Sequence, residues 1–216
     1  MMVKNLSTGD IVVFGEFPWR VLDIQNEYAL ILSEWVIESR PYHEDYSIYA
    51  LATWETSTLR QYLNNTFYHT FSDEEKRWIT DSLVVNNDNP WYGTAGGNAT
   101  IDRVFLLDID EVVKYFGDSG KLRDSDLMNG DEYGIYDEYN STRIAYDLRG
   151  WASPWVLRSP GYSGGDVALV RGRYLALGGI DIFGRSVTET YGVRPAMWVD
   201  LGAPIRLMPC GTLCGI

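Results

Sequence analysis

The sequence predicts an α+β fold, with short helices in the first half of the chain and short strands in the second. Two observations support this prediction. Helix-type spacing and capping patterns fall before residue 117, whereas short glycine-rich β segments follow Trp151. No repeat and no linker rich in Pro, Ser and Gly interrupts the 216 residues. One domain spanning residues 1–216 is therefore expected.

The strands are predicted from short apolar segments bounded by turn residues. Near the N-terminus, residues 11–22 and 28–33 form such segments around Gly15, Pro18 and a polar turn. The remaining candidates are 84–85, 104–107, 154–157, 166–170, 173–177 and 193–199.

The helices are predicted from their start signals. Leu59, Tyr62 and Leu63 have i, i+3, i+4 spacing after Ser57. Two capping boxes predict further helices, at Ser72 with Glu75 and at Asp108 with Glu111. The first helix is expected to include Trp78 and Ile79, and the second to end at Gly117. The polar, acidic residues 118–142 predict a long surface loop.

Charge and apolar content limit the classes of partner. The net charge of −12 argues against binding to a nucleic-acid backbone or an anionic membrane surface. No run of 18 apolar residues occurs, so no membrane insertion is expected. Residues 1–7 lack the apolar region of a signal peptide. The expected location is the cytoplasm or a virion, or a cell surface reached through a removed leader, and the oligomeric state stays open.

The candidate metal ligands form no recognisable site. His43 and His69 match no zinc spacing, and a His beside carboxylates is typical of a solvated loop. Residues 124–131 begin like a calcium loop, but Met128 occupies the fifth position and the glycine comes one place late. A solvated acidic loop is favoured there over a calcium site, and no cofactor is expected.

The sequence contains no complete catalytic motif. Ser163 lies in a Gly-Tyr-Ser-Gly-Gly segment that looks like a nucleophile elbow, but the second glycine is misplaced and no helix pattern follows. Cys210 and Cys214 are too few for a disulfide framework. They could close one small loop, bind a metal together with ligands from elsewhere, or stay free thiols. The protein is therefore not expected to be an enzyme.

Ordered motifs cover most of the chain, roughly from residue 11 to residue 199. They are Thr-Trp-Glu at 53–55, Leu-Arg-Gln-Tyr-Leu-Asn at 59–64, Phe-Tyr at 67–68, Phe-Ser-Asp-Glu-Glu at 71–75, Asp-Arg-Val-Phe-Leu-Leu at 102–107, Trp-Val-Leu-Arg-Ser-Pro-Gly at 155–161 and Gly-Val-Arg-Pro-Ala at 192–196. By these motifs the chain resembles a large bacterial family, common in gut bacteria and their phages, that is known as a domain of unknown function (family 6273).

That family looks like an outlying branch of the C-type-lectin-like folds, near the formylglycine-generating enzymes. The resemblance implies a compact domain whose late β segments display a ligand surface. Those enzymes use a nearby cysteine pair, whereas Cys210 and Cys214 follow the Val-Arg-Pro-Ala motif. Their activity is not carried over, although an enzyme remnant of that type stays an alternative. Arg158, Arg194 and Pro195 are interpreted as structural, with Arg194 expected to pair with a buried carboxylate.

Some relatives on this fold resemble targets of diversity-generating retroelements, which randomise a C-terminal segment by mutating adenines in AAY codons. The resulting NNY codons never encode Lys, Glu, Gln, Trp or Met. Residues 1–155 contain 27 of these five types, a frequency that gives about seven in residues 156–196, yet only Glu189 occurs there. Glycine-rich strands disfavour Lys, Glu and Gln in any case, so ordinary composition stays open beside diversification.

Segment 156–196 is therefore the candidate variable binding surface, because its Tyr, Arg and Ser content is typical of hot spots and paratopes. The expected contact residues are Tyr162, Ser163, Asp166, Arg171, Arg173, Tyr174, Asp181, Phe183, Arg185, Ser186 and Tyr191. The alternative is that its aromatic residues are core and its arginines solvated. We expect a receptor-type module that binds a protein or a glycan; a structural domain of a cell surface or phage particle is a further alternative.

Overall fold

A computed structural model describes residues 6–45, 52–124, 133–172 and 177–208. Its α-helices are short: α1 (Thr58–Tyr62), α2 (Asp73–Lys76), α3 (Ile109–Phe116) and α4 (Asn140–Arg143). A π-helical turn, Leu63–Phe67, and 3-10 turns, Tyr68–Thr70 and Lys121–Arg123, accompany them. The strands are β1 (Ile11–Phe14), β2 (Phe17–Gln25), β3 (Tyr28–Ser33), β4 (Glu38–Pro41), β5 (Ser82–Val84), β6 (Thr100–Asp102), β7 (Gly134–Ile135), β8 (Ala145–Tyr146), β9 (Ala152–Ser153), β10 (Trp155–Pro160), β11 (Asp166–Val170), β12 (Ile180–Ser186), β13 (Thr190–Val193), β14 (Ala196–Asp200) and β15 (Arg206–Leu207).

The first sheet joins the two ends of the chain. Its strand order is β14-β3-β2-β1-β15, and every neighbouring pair is antiparallel. The predicted early segments at 11–22 and 28–33 are confirmed, with the first divided into β1 and β2. Strand β14 pairs with β3 so that Trp198 lies opposite Leu30. The last large strand thus completes a sheet that the N-terminal residues begin.

The second sheet is built mainly from the late strands. Its order is β4-β13-β10-β11-β12-β7, and only β10 and β13 are parallel. The strands predicted at 154–157 and 166–170 are confirmed as β10 and β11. Most of the segment predicted at 173–177 lies outside the described residues. Strand β12 was not predicted, because its polar residues and Gly184 interrupt the alternation of apolar and polar side chains.

The segment predicted as one strand at 193–199 is instead divided between the two sheets. Arg194 and Pro195 interrupt it, so β13 stays in the second sheet and β14 enters the first. Proline lacks an N–H donor and is therefore compatible with a break between ladders. The carbonyl of Pro195 accepts a hydrogen bond from the N–H of Ser33 at 2.9 Å, which fixes the crossing.

Buried apolar side chains from Val12 to Ile205 form one hydrophobic core. Trp19, Trp54 and Trp155 are completely buried within it. Residues 104–107 are also buried, but they are not the predicted strand: only Phe105 pairs, in a single bridge to Ala196. The apolar side chains of this segment lie in the core, although its backbone forms no regular strand.

The predicted helix starts are confirmed, whereas two other boundaries differ. Ser57 caps α1, and both capping boxes are formed, at Ser72 with Glu75 and at Asp108 with Glu111. Helix α2 ends at Lys76, because Ile79 instead bridges to Val199 of the first sheet. The region predicted as a surface loop, 118–142, contributes β7 and most of α4 in its described part. No helix of the described residues is both long and apolar enough to cross a bilayer.

Candidate functional site

The candidate site lies on the face of β11 and β12 that points away from the core. In β12, Asp181, Phe183 and Arg185 alternate with Ile180 and Ile182, which are fully buried. Successive side chains of a strand point to opposite faces, so Asp181 and Phe183 share the outer face. Arg185 follows a register shift and joins them there, since its side chain is exposed and its Nε lies 3.3 Å from Asp181 Oδ2. The register places Leu169 opposite Asp181 and Asp166 opposite Ser186.

Four aromatic rings form a platform on this face: Tyr92, Tyr133, Tyr162 and Phe183. Tyr162 stacks on Phe183 with ring centroids 4.9 Å apart and planes 12° from parallel. Tyr92 and Tyr133 pack edge-on against Phe183 at 5.8 and 5.0 Å. Tyr162 and Tyr133 are exposed over 55% and 53% of their surface. Large amphipathic rings are therefore available to a partner.

Two members of the aromatic platform, Tyr92 and Tyr133, were missed by sequence reasoning. They lie in a loop and beside β7, far from segment 156–196. Burial raises the pKa of the Tyr92 phenol, and the Asp181 carboxylate adds to this effect. No local pattern marks either tyrosine, because the tertiary fold alone brings them to Phe183.

The buried carboxylate of Asp181 pairs with the two arginines of this face, Arg171 and Arg185. This carboxylate is 2% exposed and accepts hydrogen bonds from Nε and Nη2 of Arg171, at 3.1 and 2.8 Å. Nε of Arg185 lies 3.3 Å from the same oxygen, Oδ2, and the N–H of Gly184 donates to Oδ1. Asp181 was expected to contact a ligand. Because it is buried, it instead positions the two guanidinium groups that reach the surface.

A shallow depression of about 360 Å³ adjoins these arginines. Its described lining includes Leu169, Arg171, Arg185, Glu189 and Tyr191. The Tyr191 hydroxyl donates to Glu189 Oε2 at 2.7 Å. Burial raises the pKa of Tyr191, and the neighbouring Glu189 carboxylate raises it further. The single O–H of this phenol is therefore used by Glu189, and its oxygen is left to accept a hydrogen bond.

The remaining predicted contact residues occupy the β10–β11 turn or the ends of β11 and β12, or lie outside the described residues. The Ser163 hydroxyl donates to Asp166 Oδ2 at 2.6 Å and accepts from the N–H of Gly165, which tightens the β10–β11 turn. Ser186 shares a hydrogen bond with the Thr188 hydroxyl. Arg173 and Tyr174, two further predicted contacts, fall outside the part of the chain that the structure describes.

One group of motif residues forms a buried network around Asp102. Its carboxylate accepts from the Trp54 indole N–H at 2.8 Å, from Arg60 Nε at 2.7 Å and from the Thr100 hydroxyl at 2.6 Å. The Asn64 side-chain amide donates to the carbonyls of Arg60 and Val104, and its oxygen accepts from the backbone N–H groups of Arg103 and Val104. These motif positions therefore hold α1 against β6 and act on the scaffold.

A second motif network surrounds Arg158. Its guanidinium pairs with Asp108 at 2.8 Å and with Glu111, and it also donates to the carbonyl of Leu106. Burial raises the pKa of Asp108 to about 6, although the Arg158 charge opposes this shift. The interpretation of Arg158 as structural agrees with these contacts, since every partner belongs to the scaffold.

Arg194 does not pair with a buried carboxylate, contrary to the sequence-based expectation. Its Nε donates to the carbonyl of Ser33 at 3.0 Å, and Nη2 donates to the carbonyl of Glu34 at 3.3 Å. The guanidinium carbon lies 4.8 Å from the ring centroid of Trp155. Backbone carbonyls and an aromatic face thus replace the expected anion.

His43 was expected in a solvated loop, but its side chain is buried and its backbone N–H donates to Val187. Within the described ranges, no three His, Cys, Asp or Glu residues are grouped so as to hold a metal ion. All but Asp124 of the calcium-like segment 124–131 lies outside those ranges, as do Cys210 and Cys214.

No curated protein and no solved structure matches the chain. A family model, Domain of unknown function (DUF6273), matches residues 26–201. This range includes strands β3 to β14, the Asp102 and Arg158 networks and the whole candidate face. The chain therefore belongs to the family Domain of unknown function (DUF6273).

Proposed function

We propose that the protein is a receptor-type binding module whose outer β11–β12 face recognises a protein or a glycan. The observation that carries this proposal is the stacked Tyr162–Phe183 pair beside two arginines held by a buried Asp181. Exposed Tyr and Arg side chains dominate binding hot spots, because they offer large contact area and directional donors.

Preorganisation supports binding at this face. Arg171 and Arg185 are restrained by Asp181, and the Phe183 ring is restrained by three other rings. A side chain that is already ordered loses less conformational entropy when a partner binds. The platform therefore resembles a rigid paratope more than a set of freely rotating surface residues.

The finer proposal is a C-type-lectin-like module with a diversified face. Within segment 156–196, buried Val167, Val170 and Ile182 belong to the core, so randomisation is tolerable only at outward positions such as Tyr162 and Arg185. A core does not absorb random changes of side-chain volume without losing about 2–5 kcal/mol at a poor site. The proposal consequently limits diversity to the outward alternation of β11, β12 and their turns.

Glu189 gives this proposal a specific constraint. It lines the depression, yet no NNY codon encodes glutamate. Glu189 must therefore be a constant position inside an otherwise variable face, where it holds the hydroxyl of Tyr191. A near-copy of the coding sequence for 156–196 in the adjoining DNA, with AAY codons at outward positions but not at 189, would meet this constraint.

Screening the whole chain on a glycan array and against a displayed peptide library tests the binding function. A hit should bind at least tenfold more weakly to a Tyr162→Ala/Arg185→Ala double variant. Trp151→Ala is the matched control, because Trp151 is 69% exposed but lies outside the face. Hits that bind the double variant and the wild type equally, or that Trp151→Ala abolishes, would place the binding surface elsewhere.

A further inference from the structure

The small sheet of β5 and β6 presents an apolar face to solvent. Leu83 lies directly opposite Ile101 in the register, and these side chains are 69% and 60% exposed. Val85 directly follows β5 and is 54% exposed. Among the described strands, β5 and β6 pair only with each other. Single exposed apolar residues are ordinary, whereas adjoining ones on a strand pair are typical of an interaction surface.

The opposite face of this sheet fixes the outward direction of the apolar side chains. Val84, Thr100 and Asp102 point inward and are buried. Asp102 is held there by the Trp54 indole and by Arg60. Because side chains alternate along a strand, the neighbours of these residues must point to solvent. The exposed face is therefore a fixed consequence of the fold.

An ion pair borders the apolar residues at one end of the sheet. Asp81 precedes β5, Arg103 follows β6, and Arg103 Nε lies 2.9 Å from Asp81 Oδ1. They stand two residues from Leu83 and Ile101, the spacing at which strand side chains share a face. The Arg103 guanidinium also lies 4.9 Å from the ring centroid of Tyr68, which restrains it. Each strand thus contributes one apolar residue and one charge, of opposite sign, to the same face.

This arrangement is complementary to itself under a two-fold rotation. An axis that runs parallel to the strands, between two such faces, places β5 of one copy over β6 of the other. Leu83 then faces Ile101 of the second copy, and Asp81 faces Arg103 of the second copy. An isologous contact repeats each of these pairs, so opposite charges meet twice and no like charges face each other. The net charge of −12 opposes unspecific association, which leaves charge-matched contact as the favoured one.

We propose that the β5–β6 face, formed by Asp81, Leu83, Val85, Ile101 and Arg103, joins two copies of this chain in a two-fold dimer. So few side chains make an interface smaller than the standard size of about 1,600 Å², so the dimer exchanges readily with the monomer. The dimer carries two β11–β12 faces, which strengthens attachment to a surface that presents several ligands. Only this last consequence rests on the proposed function.

Sedimentation velocity of the whole chain, without any ligand, tests the pairing. With rising concentration, the average mass should increase from 24.6 kDa toward twice that value. Asp81→Arg and Arg103→Asp should each associate at least tenfold more weakly, because like charges then face each other across the axis. An equimolar mixture of the two variants should recover the dimer, since every charge contact across the axis is then attractive. Mixing does not repair a defect within either monomer, and both variants keep a negative net charge.

The apolar part of the contact has its own matched pair of variants. Leu83→Lys should weaken association at least tenfold, because the ammonium group would lie over an apolar side chain. Leu207→Lys is the control, since Leu207 is 44% exposed but lies in β15 of the first sheet, and it should associate within twofold of wild type. Wild-type protein that stays monomeric up to about 1 mM would overturn the proposal and leave the face to solvent or to a different protein. A mixture of the charge variants that stays monomeric, or equal weakening by both lysine variants, would overturn it as well.

Discussion

Tyr162 and Phe183 are joined twice, by a backbone hydrogen bond from Tyr162 N–H to the Phe183 carbonyl at 2.7 Å and by stacking of their rings. The close approach of the two backbones depends on Gly161. A Cβ atom there would lie 2.4 Å from the Phe183 carbonyl oxygen and 2.7 Å from Asp166 Cβ. The glycine that ends the Trp-Val-Leu-Arg-Ser-Pro-Gly motif thus permits the close approach at the centre of the candidate face.

Gly161→Ala should separate this pair. The added methyl group clashes with a backbone carbonyl that cannot rotate away, so we expect a loss of about 1–3 kcal/mol in the free energy of unfolding. Urea denaturation measures the loss, and the ring-current shifts of Tyr162 and Phe183 report the separation. Unchanged stability together with unchanged shifts would show that the strands do not need this close approach.

The two stacked rings should differ in their contribution to stability. Tyr162→Ala should cost less than about 1 kcal/mol, because the ring is 55% exposed. Phe183→Ala should cost about 1–2 kcal/mol more, because the ring is half-buried and contacts three other rings. Urea denaturation of both variants measures the difference. Equal costs would mean that the aromatic platform is not assembled around Phe183.

Asp181→Asn should loosen both arginines of the face. The amide removes the charge that Arg171 and Arg185 share, and we expect a loss of about 1–3 kcal/mol, less than for a fully buried pair because both guanidinium groups reach solvent. A double-mutant cycle with Arg171→Ala should give a favourable coupling energy. Asp81→Asn is the control, since Asp81 pairs with Arg103 at an exposed site. A coupling energy near zero would contradict the positioning role of Asp181.

The stability of the protein should carry a pH dependence that originates at Asp108. Its pKa is about 6 in the folded chain, against an ordinary value of 3.8, because burial penalises the charged carboxylate. The folded state therefore binds more protons than the unfolded state between these values. The contribution of Asp108 to stability is fully present below pH 3.8 and is lost as the pH rises through about 6.

Asp108→Asn isolates this contribution. Asparagine keeps the N-cap acceptor for the Glu111 N–H but cannot ionise. Relative to this variant, the wild-type free energy of unfolding should fall between pH 4 and pH 8. Asp73→Asn, at the exposed first turn of α2, should show no comparable difference. A carboxyl titration by carbon-13 NMR with a midpoint near 4 at Asp108 would contradict the prediction.

The sequence by itself determined the features that depend on neighbouring residues. The start of α1 at Ser57 and the capping boxes at Ser72 and Asp108 are formed as predicted, because a cap is made within four residues. Strands β1, β2, β3 and β11 were likewise predicted from their apolar segments. The motifs were sufficient to identify the family, since its model matches residues 26–201.

The tertiary structure alone decided how distant residues meet. Tyr92 and Tyr133 join Phe183 only because β7 pairs with β12 and a loop packs over it. The burial of Asp181 depends on pairing with Leu169 of β11. Arg194 binds the carbonyl of Ser33, 161 positions earlier, because the chain changes sheets at Pro195. Local sequence patterns do not predict such pairings, because the packing of two complete sheets around one core selects them.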